Sequence, residues 1–352
     1  MQIRQKIALE LERLQRKNLQ QLHPLNQLFW ESTLRCNVRC RHCGSDCKTQ
    51  SQTSDMPLKD FLKVLDELIP HVDPHKVMII VSGGEPLMRE DLAECGRSFY
   101  DRGFPWGMVT NGLFLTQEKL DLLLRRGLRS VTVSLDGFEE EHNWLRGHSK
   151  SFEKASNAIK MIADANVVWD VATCVNFKNI NYLDEFSEYL YSLGVRRWRA
   201  FSIDPMGRAK DQPDLLLSDS QLKQLLNFIE RKRQEGKMNV SYSCEGFLGD
   251  YEGKVRNHLY RCVAGISVAS VLIDGSISAC TSIRGKYYQG NIYKDNFWDV
   301  WENGFQQYRN RDWMKKAICK DCKMFRYCEG NGMHLRDEEG NLLVCHYNKL
   351  NG

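Results

Sequence analysis

The sequence predicts an α/β protein whose first two thirds form a partial (β/α)6 barrel of the TIM-like kind and whose last third is a cysteine-rich module. Three observations carry this expectation. Short apolar, β-rich runs alternate with amphipathic helical stretches in six successive units. The alternation stops near residue 236. Of thirteen cysteines, seven fall between Cys244 and Cys345.

Strands are expected at Leu28–Thr33, Val77–Ser82, Trp106–Asn111, Ser130–Leu135, Trp169–Asn176 and Arg197–Ile203. A helix is expected after each, over 57–69, 89–102, 116–126, 151–165, 181–193 and 218–235. Repeated βα units give a parallel sheet, and a parallel barrel keeps its chemistry in the loops at the C-terminal strand ends. The unusual residues fall in those loops. Cys36, Cys40 and Cys43 follow the first strand, Gly83, Gly84, Glu85 and Pro86 the second, Asn111 the third, and Ser134 and Asp136 close the fourth. The expected organisation is an N-terminal helical extension over 1–27, a barrel over 28–236 and the second module over 237–352.

Hydrophobic residues make up 42% of the 352 and charged residues 27%, which fits a folded protein and excludes a disordered one. The first residues hold charges through every turn and no long apolar run, so a cytoplasmic location with no membrane partner is expected. A net charge of +4 is small. Arg125-Arg126 and Arg231-Lys232-Arg233 lie in polar helical stretches, which read as solvated faces, with no nucleic-acid partner. Without an export signal, the cysteines read as metal ligands and not as disulfides.

Cys36, Cys40 and Cys43 form C-x-x-x-C-x-x-C on a polar loop. Three such thiolates can hold three irons of a cubane and leave the fourth iron open to a small molecule. A zinc site would want a fourth ligand, for which Cys47 is poorly spaced. The triad resembles the signature of the radical SAM superfamily, with His42 at its aromatic position. That resemblance implies a [4Fe-4S] cluster whose open iron binds S-adenosylmethionine and, once reduced, cleaves it to methionine and a 5′-deoxyadenosyl radical. It also implies roles for cradle residues. His42, a departure from the commoner Tyr or Phe, would pack near the adenine. Gly83, Gly84, Glu85 and Pro86 would receive the methionyl ammonium, for which a carboxylate is apt. Ser134 and Asp136 would meet the ribose hydroxyls and the methionine carboxylate, Asn111 shares their rim, and Arg146 is a further carboxylate-binding candidate. Pro205 to Arg208 resembles a segment bordering adenine and substrate. Plain strand-closing turns at Asn111-Gly112 and Asp136-Gly137, and a surface carboxylate at Glu85, are the alternatives.

Cys262, Gly275 and Cys280, followed by Cys319, Cys322, Cys328 and Cys345, resemble the SPASM extension of that superfamily, which implies one or two auxiliary iron-sulfur clusters. The pattern has a further cysteine four residues after the equivalent of Cys328. Here that position is Gly332. By the resemblance, Cys319, Cys322, Cys328 and Cys345 hold one cluster, and Cys262 and Cys280 keep two ligands of another. Cys244 is the best remaining thiolate for a third, with water, substrate or a histidine completing the set. It is also the one catalytic candidate. A zinc knuckle is the alternative for the last four cysteines, while Cys95 and Cys174 read as packing residues.

SPASM enzymes mostly modify ribosomally made peptides, so the resemblance implies a peptide or small protein substrate, altered by crosslinking, epimerisation or oxidation. A reducing partner such as flavodoxin or ferredoxin is implied as well. Two alternatives stand beside this reading. One is modification of a tetrapyrrole side chain in heme-type biosynthesis. The other is a non-catalytic iron-sulfur electron carrier, against which the intact Glu85, Ser134 and Asp136 argue.

Overall fold

In the computed structural model, residues 3–243 and 246–352 are described, so Cys244 lies outside the described residues. A helix, α1 (Ile3–Leu22), precedes β1 (Gln27–Thr33). There follow α2 (Leu58–Leu68), β2 (Met78–Gly83), α3 (Leu92–Asp101), β3 (Trp106–Thr110), α4 (Gln117–Arg125) and β4 (Leu128–Ser134). Two helices, α5 (Glu139–Arg146) and α6 (Ser151–Ala163), then lead to β5 (Val168–Val175), α7 (Leu183–Ser192), β6 (Arg197–Ser202) and α8 (Asp219–Glu235). The six strands pair in chain order and all run parallel, so their C-terminal ends share one rim.

The helices dock because their apolar stripes meet the outward side chains of the strands. Trp30 of β1 stacks on Phe61 of α2 at 4.7 Å, and Phe99 of α3 meets both edge-on at 5.8 and 5.6 Å. All three rings are fully buried. This cluster fixes the height of β1, and with it the place where the cysteine loop begins.

The alternation runs one strand further than the sequence reading placed it. Helix α8 starts at a capping box between Ser218 and Gln221 and ends at Gly236, whose φ of 70° stops it. The chain then forms β7 (Asn239–Tyr242), parallel to β6. On the opposite edge β8 (Val268–Val271) pairs parallel with β1, and β9 (Ser276–Ser278) and β10 (Gly290–Asn291) add antiparallel pairings. One ten-stranded sheet results, ordered β10-β9-β8-β1-β2-β3-β4-β5-β6-β7. The cysteine-rich region is therefore joined to the barrel through backbone hydrogen bonds at β1.

The first helix ties to the far end of the chain. Arg16, buried on α1, donates to the carbonyls of Tyr327 at 2.7 Å and Arg326 at 3.1 Å and pairs with Glu329. Among the described residues no helix is long and apolar enough to cross a membrane.

Candidate active site

The site begins where β1 and β2 end side by side. A Cβ at Gly84 would lie 2.0 Å from the Arg35 carbonyl oxygen, and one at Gly83, whose φ is +114°, would lie 2.3 Å from that of Thr33. Only glycine lets the second loop close on the root of the cysteine loop. The amides of Gly84 and Glu85 then donate to Thr33 and Arg35 at 2.7 and 2.9 Å. Glu85 turns inward and is 1% exposed, so it is not a surface carboxylate. Its Oε1 accepts from Thr110 Oγ1 at 2.7 Å and the Leu87 amide at 3.1 Å, and its Oε2 from the Asn111 amide at 2.8 Å. Burial raises its pKa. A carboxylate offers about four acceptor positions, so one remains for a ligand.

A cavity of about 240 Å³ opens at this rim. Its wall brings together Cys36, Cys40, Cys43 and Cys47 with His42, Gly83, Gly84, Glu85, Asn111, Ser134 and Arg146. Two expected members do not line it. Pro86 starts the helical turn Pro86–Met88 and is buried beneath it. Asp136 sits fully buried behind Arg146, accepting from its Nε at 2.5 Å and from the Cys174 amide at 2.8 Å. Burial opposes its charge, but Arg146, together with His142 and His42, outweighs that and holds the pKa below the ordinary value. Asp136 thus positions Arg146, which is the group that faces the cavity. Helix α5, absent from the sequence reading, delivers Arg146 on its last residue and is stopped by Gly147 at φ 66°.

The cysteine loop is clasped by residues from distant elements: Arg208, from the segment expected near the cofactor, and Arg284, which the sequence reading did not foresee. Arg208 donates to the carbonyls of Cys40 at 2.7 Å and Cys47 at 2.9 Å, and its amide donates to that of Cys43 at 3.0 Å. Arg284, from the C-terminal region, pairs with the fully buried Glu31 and reaches Ser45 Oγ at 2.8 Å. The thiols differ sharply in acidity. A hydrogen bond from Cys47 draws the pKa of Cys43 from 9.0 down to about 5, while burial pushes Cys36 up to about 12 and also raises Cys40. Arg146 Nη1 stands 3.6 Å from the Cys40 sulfur and Asn111 Nδ2 3.9 Å from that of Cys36. Burial, then the charge of Arg146, lowers His42 to about 4, so its ring is neutral. Its Nδ1 has no protein partner, and neither does Asn37 Nδ2 on the same loop. Three unoxidised thiols on one wall, donors aimed at their sulfurs and orphaned polar atoms fit an open iron-sulfur cluster with a polar ligand.

In the C-terminal region, Cys328 and Cys345 each lie within Coulombic reach of Cys319 and Cys322, and burial raises both their pKa values. The Asn331 amide donates to the Cys328 sulfur at 3.1 Å, and Arg336 Nη2 is 3.8 Å from that of Cys319. Cys262 and Cys280 form a second pair, coupled through their charges. Between Cys262 and Cys328, the buried Tyr260 hydroxyl has no partner. Among the described residues no three His, Cys, Asp or Glu side chains come together closely enough to hold a single metal ion. Cys95 is fully buried in the hydrophobic core and Cys174 half-buried.

A family model described as the radical SAM superfamily matches residues 30–190, and the SPASM model, described as an iron-sulfur cluster-binding domain, matches 262–323. The AdoMet-dependent heme synthase of Methanosarcina barkeri is 25% identical over 337 residues, which cover 88% of this chain and 94% of that protein. The PqqA peptide cyclase of Bradyrhizobium diazoefficiens is 25% identical over 308 residues, covering 86% and 79%. The crystal structure of Streptococcus suis SuiB bound to S-adenosylmethionine superposes with a TM-score of 0.70 at 14% identity, covering 88% of this chain and 73% of that one, and so shares the fold. The chain is a radical SAM enzyme with a SPASM domain, whose cofactors are [4Fe-4S] clusters and S-adenosylmethionine.

Proposed function

We propose that this enzyme binds S-adenosylmethionine in the barrel-mouth cavity and directs the resulting radical at a tetrapyrrole side chain. The observation that carries the first half is the convergence of the cysteine triad with Glu85, Asn111, Ser134 and Arg146 around one cavity. Bound there, the reduced cluster and its ligand supply a 5′-deoxyadenosyl radical that can take hydrogen from an unactivated carbon. Cys36, Cys40 and Cys43 hold the cluster. Glu85 offers its remaining acceptor position to the methionyl ammonium, Arg146 offers its guanidinium to the carboxylate, and Ser134 meets the ribose. His42, kept neutral, lies against the adenine. Asn111 orders the rim by bonding Asn37 at 2.7 Å. Gly83 and Gly84 bring the second loop close enough for these contacts. In this division of labour residues 28–236 carry the radical chemistry and 237–352 the auxiliary clusters, against which α1 is held by Arg16.

The comparisons support a substrate class other than the peptide expected at first. The heme synthase is matched over 94% of its length and the peptide cyclase over 79%. Correspondence along nearly a whole chain supports the tetrapyrrole. The cyclase keeps a peptide substrate as the second reading. Either reaction calls for a cytoplasmic reductant of the flavodoxin or ferredoxin kind. Anaerobic incubation with S-adenosylmethionine, reductant and an iron porphyrin carrying propionates should convert propionate to vinyl. One hydrogen goes to 5′-deoxyadenosine, carbon dioxide leaves, the remaining electron passes to an added one-electron acceptor, and the product is lighter by carbon dioxide and two hydrogens per side chain. A mass change in a co-expressed small peptide instead, with no porphyrin product, would reverse the order of the two readings.

A further inference from the structure

We propose that the lower half of the barrel interior is a carboxylate-binding site anchored on Arg199, which holds one propionate of the substrate while the rest of the substrate stands at the cofactor. A cavity of about 240 Å³ lies among side chains of β1 to β6. Val109 lines both this cavity and the one at the barrel mouth, so the two adjoin. On β4, Ser134 faces the upper cavity and Thr132 the lower, one step on the same face apart or roughly 7 Å. An ordinary parallel barrel fills such a layer with branched apolar side chains. Here the layer is hollow. Thr132, Asp170, Arg197 and Arg199 of β4 to β6 make one side of it polar, against Phe29 and Ile80 of β1 and β2.

Strand register assembles the polar side. Thr132 and Asp170 are direct cross-strand partners, and Arg199 lies opposite Ala172, the next residue after Asp170 on the same face of β5. Thr132 Oγ1 donates to Asp170 Oδ1 at 2.7 Å, while Arg199 Nη2 donates to that oxygen at 3.1 Å and to Thr132 Oγ1 at 2.9 Å. Arg199 Nε completes the ion pair on Asp170 Oδ2. This fork occupies Nε and Nη2. Among the described residues nothing accepts from Nη1, and the Arg199 side chain is 40% exposed although it faces the barrel interior. Its guanidinium carbon stands 5.7 Å from the ring of Phe201, two residues nearer the mouth, so the free donors lean towards the cofactor cavity.

The charges on this wall favour an anion, since Arg197 and Arg199 stand against Asp170 alone. Arg197 is exposed at the start of β6 and has no ion pair among the described residues. Asp170 holds the guanidinium in one orientation, which reduces the ordering a ligand must impose. The remaining N–H groups of a fixed, planar guanidinium suit a carboxylate. An ion pair that served only to tie β5 to β6 would be packed over, whereas this one borders a cavity with a second cation on its wall. About 240 Å³ falls short of the roughly 300–1,000 Å³ usual for pockets that enclose a whole ligand. The space suits one acid arm, with the body that carries it above, at the level of the cofactor.

The inference rests on the tetrapyrrole reading, and its test separates the two. Full-length, reconstituted protein is titrated anaerobically with an iron porphyrin carrying propionates and with the matching propionamide, a neutral copy of the same shape. Binding is read from the porphyrin absorbance. The parent protein should prefer the acid by roughly ten- to a hundredfold, the value of one charge-assisted contact. In Arg199→Gln that preference should largely disappear while the amide still binds, which an unfolded variant could not do. Arg197→Gln, at an exposed position, should lower the preference by a smaller factor. An acid preference that survives in Arg199→Gln would overturn the site and leave the tetrapyrrole reading in place. Should Arg199→Gln bind neither porphyrin, Arg197→Gln decides, and an unchanged preference there overturns the site. Binding of neither porphyrin by the parent protein would overturn both the site and the tetrapyrrole reading.

Discussion

The two cysteine regions use the same ligand type and are built in different ways. At the barrel mouth, three spaced thiols sit on a loop held by arginines from far along the chain, Arg208 and Arg284, and border an open cavity. In the C-terminal region, four thiols are ordered largely by local turns, such as the Asn331 amide on the Cys328 sulfur three residues away. The contrast teaches that an open cluster needs remote support. With one iron free to bind a ligand, the loop lacks a fourth protein bond to fix it, and the fold supplies hydrogen bonds in its stead.

Three substitutions or titrations sharpen that contrast. Asp136→Ala should have the largest effect. It strands the buried Arg146 without its carboxylate, a change that costs about 3–5 kcal/mol in comparable buried pairs. Denaturant unfolding should show this loss, and S-adenosylmethionine affinity should fall although Asp136 never faces the cavity. Unchanged affinity would remove the positioning role assigned to it. Arg208→Ala comes next. Loss of its charged hydrogen bonds to the cysteine loop is worth about 1.5–3 kcal/mol. Iron bound by the N-terminal triad should drop while the C-terminal iron stays, and equal loss from both regions would erase the distinction drawn between them.

The smallest effect is a titration. In iron-free, reduced protein, Cys43 has its pKa lowered from 9.0 to about 5, so its thiolate is present above that value and lost below it. Alkylation of Cys43, followed by peptide mass spectrometry, should be nearly flat across neutral pH and fall only below about pH 5. Cys36, raised to about 12, should stay unreactive over the same range. Cys47→Ala should move the Cys43 transition upward towards 9.0, because the lowering comes first from the Cys47 thiol. Cys43 reactivity that instead climbs steadily up to pH 9 would contradict the thiol pair.

What was legible in the sequence was what is local. Short apolar, β-rich runs gave β1 to β6 to within about two residues, and C-x-x-x-C-x-x-C with the Gly-Gly-Glu segment named the cavity wall. What escaped depends on partners distant in the chain. Strands β7 and β8 have four residues each, and β8 exists as a strand because Ser270 meets Phe29 across 241 positions. Asp136 read as a ligand contact because no local pattern reveals that Arg146, on an unforeseen helix, stands in front of it. Arg208 closes the Pro205 to Arg208 segment that the sequence placed beside the cofactor, but its hold on the cysteine loop was not legible there, and Arg284 sits in an ordinary polar segment. The missing thiolate at Gly332 was visible, but the His334 ring that fills its space is known only from the fold.

The central claim is that the barrel-mouth cavity holds an open cluster that cleaves S-adenosylmethionine. The direct measurement is 5′-deoxyadenosine formed by anaerobically reconstituted, reduced protein, compared with the Cys36→Ala, Cys40→Ala, Cys43→Ala triple variant. The account predicts steady formation by the parent protein and none by the variant, with C-terminal iron retained. Equal 5′-deoxyadenosine from both proteins would contradict it.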